Sequence, residues 1–113
     1  MAERLSLSSR HRKMIEALLR RHLPEVEVWV YGSRINGRSH GGSDLDLALR
    51  APRLRRIDAD RLKALSDAFR ESNIPFLVEA RDWACLPENF HREIEKDHVV
   101  LVYGEQSTEK PRF

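Results

Sequence analysis

Residues 31–49 read YGSRINGRSHGGSDLDLAL, and they hold the residue types in this chain best suited to chemistry. Asp44 and Asp46 stand two apart among Leu45, Leu47 and Leu49. On a β-strand, side chains two apart share a face, so both carboxylates project to one side and the leucines to the other. Neighbouring carboxylates repel each other. A divalent cation between them keeps both ionised, and an all-oxygen ligand set suits Mg²⁺ or Mn²⁺, which borrow further ligands from substrate phosphates. Upstream of the acids by ten residues, Gly32 and Ser33 offer those phosphates a place. Gly32 has no Cβ and lets the backbone approach closely, and Ser33 can open a helix whose N–H groups attract anions. Alone, a Gly-Ser pair is usually a turn and an Asp-x-Asp triplet a solvated strand edge; their joint occurrence at the ends of two apolar runs points to a site.

The flanking segments must bring these halves together. Ser8 or Ser9 can cap a helix to about His22, with Met14, Ile15, Leu18 and Leu19 as its apolar stripe, Leu7 as a staple and Pro24 as its stop. A strand over Val26 to Tyr31 follows, with Val28 and Val30 on one face and the aromatic pair Trp29 and Tyr31 packing on the other. For Gly32 to meet Asp44, this strand and the next run antiparallel, joined by a short helix around Arg34 to Asn36 and a flexible loop from Gly37 to Gly42. Ala51-Pro52 breaks the second strand. A helix capped by Asp58 or Asp60 then carries Leu62, Leu65, Ala68 and Phe69 inward, and Asn73-Ile74-Pro75 closes it. The third strand, Phe76 to Arg81, returns parallel to the second and brings Glu79 to the Asp44/Asp46 face. Asp82 lies an odd number of residues from Glu79 and is expected to face oppositely, which makes it the second choice as a ligand. A helix from Pro87 to Lys96 with Phe90 and Ile94 inward, and a short edge strand from Val99 to Tyr103, complete the chain. The fold class is therefore α/β (α+β): a mixed sheet of three core strands in order 1-2-3 plus a short C-terminal strand, flanked by helices.

With 113 residues, 41% hydrophobic and 34% charged, the composition fits one globular domain over 1–104 with a polar, patternless, disordered tail over 105–113. A net charge of +2 is too small to argue for nucleic acid, and the Arg clusters read as solvated faces. Cys85 is the only cysteine, which excludes an internal disulfide and suits a reducing cytosol; it reads as a packing residue. No signal-peptide pattern follows Met1, and the longest apolar run, Val99 to Tyr103, is too short to span a bilayer. The five histidines show no metal-ligand spacing and read as surface or filler; only His40, in the loop, is near enough to the phosphate side for substrate contact.

The pattern Gly-Ser, ten residues, Asp-x-Asp resembles the nucleotidyltransferase superfamily of the DNA polymerase β type. The short length is similar to its minimal nucleotidyltransferases, antitoxin partners of all-helical HEPN ribonuclease toxins. The resemblance runs from about Leu5 to Tyr103, and its most specific parts are GSRINGRSHGGSDLDLAL and FLVEARDWACLP. The family carries a third metal-binding carboxylate, usually Asp, on a later strand, and Glu79 occupies that place. The resemblance implies transfer of a nucleoside monophosphate, AMP from ATP in the leading case, to a hydroxyl with release of pyrophosphate. It implies two Mg²⁺ or Mn²⁺ ions on Asp44, Asp46 and Glu79, Ser33 and the amide after Gly32 on the β and γ phosphates, and Arg34 and Arg38 neutralising triphosphate charge. Larger relatives hold the acceptor with an extra domain, so here it is expected from a partner: a tyrosine of a HEPN toxin, in a cytoplasmic hetero-oligomer of the type VII antitoxin kind, without membrane or direct nucleic-acid contact. The alternatives are an antitoxin that neutralises by binding alone with a weakened site, and a free-standing enzyme acting on small alcohols. No motif identifies the nucleotide base.

Overall fold

The Ser8 side-chain oxygen accepts the His11 N–H at 3.1 Å and so caps the first helix, α1 (Ser9–His22), in the first turn where backbone donors lack partners. Ile15 and Leu19 are its buried positions, and Arg20, Arg21 and His22 place positive charge at its C-terminal end. The computed structural model describes residues 4–37 and 42–104. The expected tail over 105–113, and Arg38 and His40 of the expected loop, lie outside the described residues.

After Pro24 the chain enters β1 (Glu27–Tyr31), which runs antiparallel to β2 (Leu45–Arg50), with Val30 opposite Leu47 and Tyr31 opposite Asp46. Helix α2 (Ala59–Glu71), capped by the Asp58 carboxylate, leads to β3 (Val78–Asp82), which pairs parallel with β2. Helix α3 (Glu88–Lys96) leads to β4 (Val99–Val102), antiparallel to β1, so the sheet order is β3-β2-β1-β4. The three core strands stand in the expected order, with the C-terminal strand as an edge.

Strand alternation divides the sheet into two unequal faces. On one, Val28, Val30, Leu45, Leu47 and Leu49 pack against Ile15 and Leu19 of α1 and Leu65 and Phe69 of α2 in the main core. Each such side chain, fully buried, contributes about 1.5–3 kcal/mol of transfer free energy. On the other face a smaller cluster joins Trp29, Ala48 and Trp83 to Ile94 of α3. The two indoles meet edge to face at 5.4 Å, His98 stacks on Trp29 and His91 on Trp83, and the Arg50 guanidinium lies over both indoles. Asp46 belongs to this second face, at the end of β2 away from Arg50.

Three expectations are corrected. The third strand begins at Val78 rather than Phe76, because its partner β2 begins at Leu45, opposite Val78, and offers no ladder further back. Phe76 instead packs under the Arg34 guanidinium at 4.0 Å, and Leu77 is exposed. Cys85 is exposed rather than packed: in the 3₁₀ turn Trp83–Cys85 the inward position is taken by the indole. Phe90, expected inward beside Ile94, remains 41% exposed.

Asp82 ends β3 with a buried carboxylate that accepts the Ile57 N–H at 2.8 Å and the Ala84 N–H at 3.1 Å, tying the segment before α2 to the turn after β3. It faces away from Glu79, as its odd spacing predicts. Asp82→Ala strands these donors and is expected to cost about 2–3 kcal/mol, read as a lower urea midpoint with an unchanged slope.

Candidate active site

The site forms where β1 ends. Gly32 has φ +88° and ψ −154°, a conformation that L side chains rarely adopt, and it turns the chain into the 3₁₀ segment Ser33–Ile35. A Cβ at residue 32 would stand 2.6 Å from Asp46 Oδ2. The Asp46 carboxylate therefore lies directly against the glycine Cα: the torsion demands glycine, and a side chain there would push the carboxylate aside.

Asp46 is held there by its place in β2, opposite Tyr31 on one side and in register with Glu79 on the other. Adjacent strands are ~4.8 Å apart, so the two acids are neighbours on one face. Arg81, two residues beyond Glu79, shares that face. Its Nη1 lies 3.4 Å from Asp46 Oδ1 and 3.3 Å from the Tyr31 hydroxyl, and its Nη2 lies 3.2 Å from Glu79 Oε1. Burial pushes the Asp46 carboxyl above its ordinary value; Arg81 opposes that shift, and the charges of Asp44 and Glu79 reinforce it. Burial likewise raises the Tyr31 hydroxyl. Burial works against the Arg81 guanidinium, but Tyr31, Glu79 and Asp46 together outweigh it and raise its pKa.

Asp44 precedes β2 by one residue, is exposed, and acts electrostatically on Arg34. Arg34, expected at the phosphates, is only 5% exposed. Its Nε and Nη2 donate to the Ser43 carbonyl at 3.0 and 2.8 Å, its Nη1 donates to the Ser6 carbonyl at 2.8 Å, and its own carbonyl accepts the Ser6 N–H. It clamps the N-terminal segment to the residue before Asp44, which makes it a positioning residue. Ser33 is half-buried at the start of the 3₁₀ segment, and its carbonyl accepts the Asn36 N–H. Arg38 lies outside the described residues.

Among the described residues no three His, Cys, Asp or Glu side chains stand close enough to hold a metal ion. Asp46 and Glu79 are brought together, while the three-carboxylate cluster with Asp44 is not assembled; the positive charge between the pair is the Arg81 guanidinium. The residues fit a hard divalent cation in donor type, being carboxylate oxygens. A carboxyl raised by burial despite its Arg partner also gains from further positive charge. Sequence reasoning missed Arg81 and the Tyr31 hydroxyl as members of the site. The signal was the same two-residue spacing that located Glu79.

Residues 1–91 match the family model described as "Poly(A) RNA polymerase, mitochondrial-like, central palm domain". Over 108 residues the chain is 37% identical to "Probable protein adenylyltransferase MntA" of Haemophilus influenzae, covering 95% of this chain and 92% of that protein. The chain belongs to the MntA-like minimal nucleotidyltransferases. Two solved structures share the minimal nucleotidyltransferase fold: a mutant of the toxin-antitoxin pair MntA-HpeT, and the tri-AMPylated Shewanella oneidensis HEPN toxin in complex with MNT antitoxin. The first superposes with a TM-score of 0.68 at 20% identity, covering 87% of this chain and 77% of that one. The second gives 0.60 at 15% identity, with 91% and 78% covered.

Two outcomes test the site of this minimal nucleotidyltransferase. Gly32→Ala drives Asp46 from its place, and a displacement of ~1 Å is expected to cost on the order of 10²-fold in transfer rate, with the far-UV circular dichroism of the folded chain retained. Asp46→Asn removes a charge whose folded pKa is raised. That charge lowers stability above the ordinary carboxylate value of 3.8, so protonation favours the native state as pH falls. In chelating buffer the Asn variant is therefore expected to melt at or above the wild-type temperature at neutral pH. The gap closes as pH drops through the raised Asp46 value; a variant that melts lower at pH 7 contradicts this.

Proposed function

We propose that this minimal nucleotidyltransferase is an antitoxin that moves AMP from ATP to a hydroxyl, a tyrosine, of a HEPN toxin partner. The observation that carries the reading is the in-register pair Asp46 and Glu79, with the Asp46 carboxylate seated on the Gly32 turn. The 37% identical relative, named as a probable protein adenylyltransferase, and the likeness to a complex holding a tri-AMPylated HEPN toxin support the choice of AMP and of partner. We place the catalytic unit within residues 1–104. Its single cysteine suits the cytosol, and no described helix is long and apolar enough to cross a membrane.

In this reading Asp44, Asp46 and Glu79 would hold two Mg²⁺ or Mn²⁺ ions, which would supply positive charge to offset the charge of the transferring phosphoryl group. The chain's own residues do the rest. The absence of a Cβ at Gly32 lets the backbone approach the triphosphate, and Ser33 and the amide after Gly32 bind the β and γ phosphates. Arg38 balances triphosphate charge, while Arg34 fixes the approach to Asp44. Glu79 accepts the proton of the acceptor hydroxyl as its oxygen attacks the α-phosphorus. The bond from the α-phosphorus to the bridging oxygen breaks, and pyrophosphate leaves with that oxygen.

One observation favours a second reading, neutralisation by binding alone: Arg81 already engages both Asp46 and Glu79. Mixing the purified pair with ATP and Mg²⁺ and weighing the toxin separates the two. The enzyme reading expects the mass of AMP on the toxin, reduced at least ~10²-fold by Asp44→Asn, and loss of cellular protection in that variant. An Asp44→Asn chain that binds the toxin normally and still protects cells establishes the binding reading.

A further inference from the structure

The two strands that edge the sheet differ in what they offer a neighbour. β4 is four residues long, and its pairing with β1 shifts register between Val28 and Trp29; a short, irregular edge discourages further pairing. β3 is five residues, VEARD, without proline and in unbroken register with β2. The Leu45 N–H donates to the Leu77 carbonyl at 2.9 Å. Backbone groups alternate sides along a strand, so Glu79 and Arg81 also turn theirs toward β2, while Val78 and Ala80 turn theirs outward, where the sheet ends. Along the same edge, between β3 and α2, runs a groove of about 260 Å³ lined by Phe69, Ile74, Phe76, Val78 and Ala80, with Leu77 half exposed beside it.

We propose that β3 is the seam of a homodimer: two copies pair antiparallel about Ala80 and join their sheets into one, with Glu79 of each copy opposite Arg81 of the other. The order Glu-Ala-Arg is what selects a second copy of this chain. An antiparallel two-fold through Ala80 sets Glu79 against Arg81 twice, whereas parallel pairing in register would set Glu on Glu and Arg on Arg. Ala80 is the residue that meets itself on the axis, and its outward N–H and C=O are the groups a hydrogen-bonded antiparallel pair exchanges. Its small side chain lets the two backbones approach.

The two-fold is perpendicular to the sheet, so each face keeps its side, and the contact is isologous. The α2 helices of both copies stand on one face, and their apolar grooves open toward each other across the seam. Both acidic faces lie on the opposite side. There Arg81 serves Asp46 at 3.4 Å and Glu79 at 3.2 Å within its own chain, and the Glu79 side chain is 36% exposed. The second copy's Arg81 adds a guanidinium on that open side, so each copy contributes a charge to the other's site. The seam follows from the strand alone and is independent of the nucleotidyltransferase reading, since its test involves no transfer.

Sedimentation velocity of the full chain without a toxin, from micromolar concentrations to about 1 mM, reads the association, and amide hydrogen exchange reads the seam. Wild type is expected to pass from monomer to dimer as concentration rises, with the Ala80 amide exchanging more slowly in the dimer. Glu79→Arg and Arg81→Glu each set like charges opposite one another twice, and each is expected to raise the dissociation constant at least about fourfold. The double variant, Glu79→Arg with Arg81→Glu, restores opposite charges and is expected to dimerise as wild type does. An equimolar mixture of the two single variants is expected to form the mixed dimer for the same reason. Circular dichroism checks that the variants fold; should a single variant fail to, the wild-type exchange measurement decides alone. Wild type that stays monomeric throughout overturns the proposal. So does a dimer that both single variants leave unchanged, that the double variant fails to restore, or in which Ala80 exchange does not slow; each of these places the contact on another surface.

Discussion

The site depends on one contact: a carboxylate oxygen pressed against a main-chain carbon that carries no side chain. Asp46 lies so close to Gly32 that any other residue there would displace it, and burial at this position raises its pKa. A desolvated anion is costly unless positive charge is near. Arg81 supplies part of that charge from the neighbouring strand. The turn that ends β1 seats that carboxylate, and the turn is possible because glycine alone tolerates its torsion without strain.

Holding that turn in place is a matter of packing and of buried polar groups elsewhere. The main core fixes β1 and β2 through Val28, Val30 and the three leucines of β2, and it thereby fixes which side Asp46 faces, since a slip of one residue would bury the carboxylate and expose the leucines. Two buried polar side chains secure the flanks. Arg34 bonds carbonyls at Ser6 and Ser43, and Asp82 bonds N–H groups at Ile57 and Ala84. Both direct their charge at backbone groups, the arrangement in which burying a charged group costs least.

Period-two alternation made much of this legible in the sequence. It assigned Asp46 and Glu79 to one face and Leu45, Leu47 and Leu49 to the core, and chain reversal at Gly32 gave the antiparallel pairing of β1 with β2. What stayed hidden has physical causes. The start of β3 is set by the length of its partner, which no local pattern in residues 76–81 records. The role of Arg34 depends on Ser6, 28 residues away, and that of Asp82 on Ile57, 25 residues away, so one read as a phosphate contact and the other as a second-choice ligand. Phe90 shared a helical stripe with Ile94, and only the packing of α3 on the sheet through Ile94 showed that one of the two remains exposed.

The pairing of Asp with Glu, rather than two aspartates, makes sense beside Arg81. Asp46 is drawn back against the Gly32 turn, while Glu79, in register on the next strand, extends one methylene further. The guanidinium serves both by presenting Nη1 to Asp46 and Nη2 to Glu79. A lysine ammonium is a point charge and could not span two such positions with separate donors. The contacts are long for charge-assisted hydrogen bonds, at 3.2 to 3.4 Å, and the Arg81 side chain is 42% exposed. An arginine held this loosely neutralises the pair without sealing it, so a second cation approaching Asp46 and Glu79 competes with a group that has an open path to solvent.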